Sequence, residues 1–127
     1  MPAYDAARYD PPAPVARVTL RPMAGGPSAA DVPLLLDTGA DITLLPAAPV
    51  AQLGLTSLSN VAYEVVGFDG SRSTAGAVDL DMIFLGKTFR GRYLLTNDDH
   101  GVLGRDVLAS VALLFDGPRR EWSQVTP

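Results

Sequence analysis

Apolar and polar positions alternate in short runs along the chain, and turn residues separate one run from the next. A two-residue period is typical of half-buried β-strands. The pattern predicts strands at VARVTLRP (15–22), VPLLLDT (32–38), ITLLP (42–46), VAYEVVG (61–67), SRSTAGAVDLDMIF (71–84), TFRGRYLLT (88–96), VLG (102–104) and on both sides of the turn in ALLFDGPRREWSQV (112–125). Because FDGS at 68–71 is typical of a tight turn, the runs on either side of it predict a β-hairpin.

Helical patterns are few and short. The segment AAPVAQLGL (47–55) allows about one helical turn, and RDVLASV (105–111) predicts a short helix with Asp106 near its N-terminus, where a carboxylate suits the helix dipole. Residues 1–14 contain four prolines and no periodicity, which predicts a flexible or extended N-terminal arm before a domain at 15–127. The fold class is therefore mainly β, a closed barrel or sandwich of short strands.

Composition narrows the possible functions. The chain has 127 residues and a net charge of −4 from 10 basic and 14 acidic residues, which argues mildly against a nucleic-acid partner. The absence of cysteine excludes disulfides, thiol catalysis and cysteine-ligated zinc. The single histidine, His100, lies in the polar run NDDH and is predicted to be a solvated loop residue. We expect no metal site and no cofactor.

The prediction of the cellular location rests on two kinds of targeting signal that the sequence does not show. The N-terminal sequence has no basic start followed by an apolar core, and no apolar run approaches the roughly 18 residues that span a bilayer. We therefore expect a cytoplasmic protein without a membrane segment. The composition, with its single lysine, Lys87, is more typical of a bacterial cellular protein than of a viral one.

The stretch LLLDTGADITLLP (34–46) places two aspartates, Asp37 and Asp41, in an otherwise apolar run. A carboxylate there is costly unless it is hydrogen-bonded or paired. Asp37 can be explained as a turn residue, because Asp-Thr-Gly suits a tight turn. It can equally be a functional carboxyl held at a protected but accessible point between two buried strands. The spacing alone leaves both interpretations open.

The same stretch resembles the active-site segment of aspartic proteases, in which apolar residues precede Asp-Thr-Gly-Ala. VLGRD (102–106) resembles the segment that opens the short helix of retropepsins, and the GFDGS hairpin lies between the two segments, where that family has its flap. The chain thus resembles the retropepsin-like aspartic protease family over roughly residues 15–125. The resemblance implies a retropepsin-like closed barrel with one short C-terminal helix.

A single Asp-Thr-Gly is present, whereas the family's reaction needs two aspartates. The resemblance therefore implies that the chain is the single-lobe subunit of a homodimer, with the two Asp37 residues facing each other. Two such carboxyls share a proton and activate a water molecule that hydrolyses the peptide bond. The implied function is that of an aspartic endopeptidase. Thr38 would hydrogen-bond across the dimer, and Gly39 would let the backbone approach the substrate.

The resemblance also assigns substrate-binding residues. Ala40 and Asp41 would line the cleft, and the flap tip would comprise Gly67, Phe68, Asp69 and Gly70. Arg105 would form a buried ion pair with Asp41. The implied partners are a peptide or protein substrate and a second copy of the chain.

Two alternatives remain open at this stage. The chain could be a retropepsin-fold domain that dimerises or binds peptides without cleaving them. It could also be a structural β domain in which Asp37 is an ordinary turn residue.

Overall fold

The computed structural model describes residues 2–58, 62–66 and 69–126. Each strand overlaps a run that the alternation predicted, and the mainly β fold class is confirmed. In chain order the elements are β1 (Val15–Arg21), β2 (Ala29–Leu36), β3 (Leu44–Pro46), α1 (Ala47–Gln52), β4 (Ala62–Val66), β5 (Arg72–Phe84), β6 (Lys87–Thr96), β7 (Gly101–Leu103), α2 (Arg105–Leu108), β8 (Leu113–Asp116) and β9 (Glu121–Gln124).

Six strands form a closed barrel. They follow the order β1-β2-β7-β3-β6-β5, and β1 pairs with β5 from Thr19↔Ile83 to Arg21↔Asp81 to close the ring. Closure leaves no free sheet edge in this part of the molecule. β2 and β7 run parallel, with Leu36 opposite Leu103, so the segments that follow them leave the barrel at the same end.

β5 is long because it pairs with two different strands along its length. Its first part pairs with β4 from Ala62↔Gly76 to Val66↔Arg72, and its second part pairs with β6 from Ala77↔Leu94 to Phe84↔Lys87. The first pairing forms the hairpin that the FDGS turn predicts. The second ends in a two-residue turn at Leu85 and Gly86, where both residues have positive φ (54° and 75°), as a type I′ turn requires.

The barrel interior holds the main apolar core. Its fully buried side chains include Leu20, Leu34, Leu45, Leu80 and Leu103. A second, smaller cluster of Ala75, Ala77 and Leu94 lies below the hairpin, and Ile42, Leu44 and Val65 are among the residues that pack against it. The hairpin thus makes apolar contacts with the segment that follows Asp-Thr-Gly.

The N-terminal segment, for which the sequence predicts a flexible or extended arm, forms backbone hydrogen bonds with the rest of the domain. The Tyr4 amide donates to the Arg120 carbonyl at 2.8 Å, and the Trp122 amide donates to the Pro2 carbonyl at 3.0 Å. The Leu36 amide in turn donates to the Pro14 carbonyl at 3.0 Å. These bonds occur because the proline-rich segment, which forms no helix, offers carbonyls and amides to the β8–β9 hairpin and to the end of β2.

His100 also differs from its prediction as a solvated residue. It is half-buried, and its ring meets the edge of Tyr9 with 6.0 Å between ring centroids. Its Nδ1 is buried and has no hydrogen-bond partner among the described residues. Burial lowers the pKa of His100, and Arg8 and Arg17 lower it further, while Asp5 and Asp99 act in the opposite direction. The prediction was wrong because the N-terminal segment covers this loop.

None of the helices in the described ranges is long and apolar enough to cross a membrane.

Candidate active site

Asp37 lies directly after β2, in a turn that backbone hydrogen bonds hold in place. Its amide donates to the Leu103 carbonyl on β7 at 3.1 Å, and its own carbonyl accepts from the Ala40 amide at 3.2 Å. Its Oδ1 accepts from the Gly39 amide at 2.9 Å. Asp37 as a residue is half-buried, whereas Thr38 and Gly39 are exposed. The turn therefore presents its carboxyl group at the end of the barrel while its backbone stays fixed to β7.

A network of polar contacts, in which Thr43 is buried and Asp106 is exposed, connects this turn to α2. Thr43 is fully buried, and its Oγ1 donates to Asp106 Oδ1 at 2.7 Å. The Thr43 amide donates to Asp106 Oδ2 at 3.0 Å, and the Gly104 amide donates to Thr43 Oγ1 at 3.1 Å. A buried hydroxyl is costly unless it is hydrogen-bonded, and this one both donates and accepts. The network joins the segment after Asp37 to the start of α2.

Gly104 fits because it has no side chain. A Cβ at this position would lie 2.7 Å from the Ile42 carbonyl carbon, 2.8 Å from the Ile42 oxygen and 3.0 Å from the Ala40 oxygen. All three atoms belong to the backbone of the Asp37 loop. The loop and the start of α2 are thus packed backbone against backbone.

A cavity of about 260 Å³ lies beside the turn. Part of its wall comes from the predicted active-site segment, and the rest comes from the hairpin strand β4 and from β7. Its lining residues are Asp37, Gly39, Ala40, Asp41, Ile42, Leu44, Val65, Val66 and Val102. Four of the predicted site residues are therefore brought together, in a cavity whose other lining side chains are aliphatic.

The tip of the hairpin is farther from this cavity. Asp69 and Gly70 are exposed and do not line it. The Ser71 amide donates to Asp69 Oδ1 at 2.9 Å, and hydrogen bonds from Ser71, the side-chain bond first, lower the pKa of Asp69. Gly70 has a φ of 81°, which suits the turn. Gly67 and Phe68 lie outside the described residues.

The predicted buried ion pair between Arg105 and Asp41 is not formed. Both side chains are exposed, and the ion pairs among the described residues do not include this one. Instead, Arg105 Nη1 donates to the Thr38 carbonyl at 2.6 Å, and the Arg105 amide donates to the Ala40 carbonyl at 2.9 Å. The Arg105 side chain thus binds the turn through the Thr38 carbonyl. The carboxylate of the adjacent Asp106 binds Thr43 instead.

Sequence reasoning missed the aliphatic lining and the polar network. The alternation predicts Ile42, Leu44 and Val102 only as strand residues. The resemblance nevertheless places the two segments that contain them, 34–46 and 102–106, at the site. Thr43 had no distinguishing signal, because threonine is common in strands. Asp106 was interpreted as a dipole partner, whereas its carboxylate binds a threonine 63 positions away. The part of the chain that the structure describes contains no group of three or more acidic or histidine side chains that could hold a metal ion.

Comparisons with known proteins agree with this geometry. A family model described as aspartyl protease matches residues 18–107, well over half of the chain. Among solved structures, the EIAV protease complexed with the inhibitor HBY-793 is similar at a TM-score of 0.58 and 22% identity. The similarity covers 76% of this chain and 86% of that one, and at this identity it shows the fold. No curated protein sequence matches the chain. The chain belongs to the aspartyl protease family, as a retropepsin-like aspartic peptidase.

Proposed function

We propose that the protein is an aspartic endopeptidase that acts as a homodimer, with Asp37 of each copy in one shared site. The observation that carries the proposal is the placement of the single Asp-Thr-Gly turn. Its backbone is hydrogen-bonded to β7, and Asp37 lines a cavity whose side chains are mostly aliphatic. A carboxyl group that served only to close the turn would not need such a cavity beside it.

A second copy supplies what one chain lacks. The sequence contains one Asp-Thr-Gly, and hydrolysis by this route needs a pair of carboxyls. A two-fold axis next to Asp37 brings the same surface of both copies together, so the site becomes symmetric. The exposed Thr38 is free to hydrogen-bond to the partner there. Gly39, also exposed, adds no side chain that would keep the two turns apart.

The chemistry follows from the pairing. Two carboxyls about 3 Å apart cannot both ionise cheaply, so they hold one proton between them. The ionised carboxylate takes a proton from a water molecule bound between the two. The water oxygen attacks the peptide carbonyl carbon, and the protonated carboxyl donates a hydrogen bond to the developing oxyanion. Proton transfer to the amide nitrogen then releases the two peptide fragments. Activity at acidic pH is expected, because the pair must keep one proton.

The substrate is proposed to bind as an extended strand between the hairpin and the floor of the cleft. Ala40 and Asp41 line the floor beside Asp37, and Val65 and Val66 of β4 form the facing wall. Main-chain pairing provides affinity in such a mode, and pockets for alternate side chains provide selectivity. Asp69 and Gly70 of the hairpin tip are proposed to contact the bound peptide from the side opposite the floor.

The direct test is cleavage of an unstructured protein between pH 3 and pH 7 by the wild type and by Asp37→Asn. We expect the wild type to cleave at acidic pH and the variant to fold but not to cleave. Full proteolysis by Asp37→Asn would remove Asp37 from the mechanism. If the wild type binds peptides but cleaves none, the chain is a peptide-binding member of the fold.

A further inference from the structure

A second cavity adjoins the one beside Asp37, and its lining has two different halves. Its volume is about 500 Å³, and it shares four lining residues with the first cavity. One half is apolar, from Ile42, Val65, Val66 and Leu94, and the other is polar, from Asp41, Tyr63 and Glu64. A side chain with a long apolar stem and a polar end fits such a space, because its stem then packs against the apolar residues and its end contacts the polar residues.

The charge of the polar half is negative. The described residues that line the two cavities include no lysine or arginine, whereas Asp41 lines both. Asp41 is exposed, and among the described residues its carboxylate is in no ion pair and accepts no hydrogen bond. It is therefore an uncommitted anionic group on the wall that the two cavities share.

The arginines around the cleft are engaged with other groups. Arg72 Nη1 is 3.0 Å from Glu64 Oε1, so the second carboxylate of this cavity already has a cation. Arg92 forms a two-bond pair with Asp79, at 2.9 and 3.2 Å. Arg105, which might have paired with Asp41, donates to the Thr38 carbonyl instead. Within residues 2–58, 62–66 and 69–126, Asp41 therefore has no cationic partner.

We infer that Asp41 selects substrates with a lysine or arginine two residues away from the aliphatic residue that fills the cavity beside Asp37. This inference rests on the proposed peptidase function and names its substrate class. The spacing follows from the extended conformation, in which side chains two positions apart lie on the same face, about 7 Å apart. The stem of the basic residue packs on Ile42 and Val65, and its charged end pairs with Asp41.

The test compares peptides that differ at one position. Each carries a constant aliphatic residue at the cleavage site and Lys, Arg, Gln or Glu at a position two residues away, on either side. The measured quantity is the ratio of kcat/KM for the Lys peptide to that for the Gln peptide. We expect a ratio of about two to five in the wild type, the range for an exposed ion pair. Asp41→Asn should bring the ratio to about one, and Asp41→Lys should reverse the preference toward Glu.

The matched control is Asp31→Asn, which removes one exposed carboxylate that lines neither cavity. Its ratio should equal that of the wild type. If Asp31→Asn lowers the ratio as much as Asp41→Asn does, the preference reflects the net charge of the protein and the inference is wrong. The inference is equally wrong if Asp41→Asn keeps the wild-type ratio.

Binding separates this inference from the proposed function. Labelled peptides are titrated into Asp37→Asn and into the double variant Asp37→Asn/Asp41→Asn, with fluorescence anisotropy as the readout. Tighter binding of the Lys peptide to the first variant only supports the role of Asp41, even if the wild type cleaves nothing. Cleavage with no preference at this position supports the peptidase function and overturns the role of Asp41.

Discussion

Thr43 and Asp106 are joined by a 2.7 Å hydrogen bond between Oγ1 and Oδ1, although 63 positions separate them in the chain. The Thr43 amide bonds to the other oxygen of the same carboxylate at 3.0 Å. Thr43 follows the Asp37 turn, and Asp106 belongs to α2. The position of the Asp37 turn therefore depends on a polar contact with a helix of only four residues.

Thr43→Val is expected to lower the free energy of unfolding by about 1–3 kcal/mol. The substitution removes the hydroxyl and leaves the Gly104 amide without its acceptor in a buried place, which carries a penalty of this size. Denaturant unfolding measures the loss. The fractional loss of peptidase activity should exceed the fractional loss of unfolding free energy. The reason is that the substitution removes hydrogen bonds that join the segment after Asp37 to α2.

Thr43→Ser is the matched control for this prediction. It keeps the hydroxyl and removes only a methyl group, so most of the stability and activity should remain. A valine variant that loses no more stability than the serine variant would show that the hydrogen bonds of the Thr43 hydroxyl do not stabilise this position.

Gly104→Ala is expected to destabilise the fold by about 1–3 kcal/mol, the usual cost of forcing an extra group into a well-packed site. The added Cβ would press on backbone atoms of Ile42 and Ala40, which cannot rotate away. Since Ala40 follows Asp37 by three residues, cleavage should also be impaired.

Gly117→Ala provides the comparison, because no atom lies within 4 Å of a Cβ built there. Thermal unfolding of both variants, followed by circular dichroism, measures the difference. A Gly104→Ala protein as stable as Gly117→Ala would contradict the close packing of the loop against α2.

His100 makes stability depend on pH. Burial, with Arg8 and Arg17, holds the pKa of His100 below its ordinary value of 6.5 in the folded chain. The unfolded chain therefore takes up a proton more readily, and stability falls as pH drops through 6.5 toward the folded-state pKa. We expect the wild type to lose stability on going from about pH 7 to pH 5, with the 6.5 reference of histidine in between.

His100→Asn should lack this component, because asparagine does not titrate. Denaturant unfolding at several pH values compares the two proteins. If the stability of both proteins changes equally across this range, His100 is not the group responsible. The burial of its ring then does not affect the pH dependence of stability.

Much of the fold could be predicted from the sequence because alternation is a local signal. The strands from β1 to β9 overlap the predicted runs. The closing contact between β1 and β5 could not be predicted in this way, because it joins residues at least 60 positions apart. Asp81 shows the same limit. It lies in a predicted strand but is buried, and Arg90 opposite it binds the carboxylate at 2.9 and 3.1 Å.

In the candidate site too, contacts between residues close in sequence could be predicted, and contacts between distant residues could not. Asp37, Gly39, Ala40 and Asp41 were found because they are adjacent in sequence and form one loop. The ion pair of Arg105 was predicted wrongly, because a side-chain partner depends on how the helix is oriented against the loop. Here the orientation gives Arg105 the Thr38 carbonyl and gives Asp106 the inward-facing bonds. The covering of His100 by the N-terminal segment was beyond reach for the same reason.

The central claim is that two copies of Asp37 form one active site, and a mixing experiment tests it most directly. A fixed amount of wild type is equilibrated with increasing Asp37→Asn, at concentrations where dimers form, and cleavage of an unstructured protein is measured at acidic pH. Because subunits of a symmetric dimer exchange at random, activity should fall to about half when equal amounts are present. It should approach zero in excess variant. Activity that stays constant whatever amount of Asp37→Asn is added would contradict the shared site.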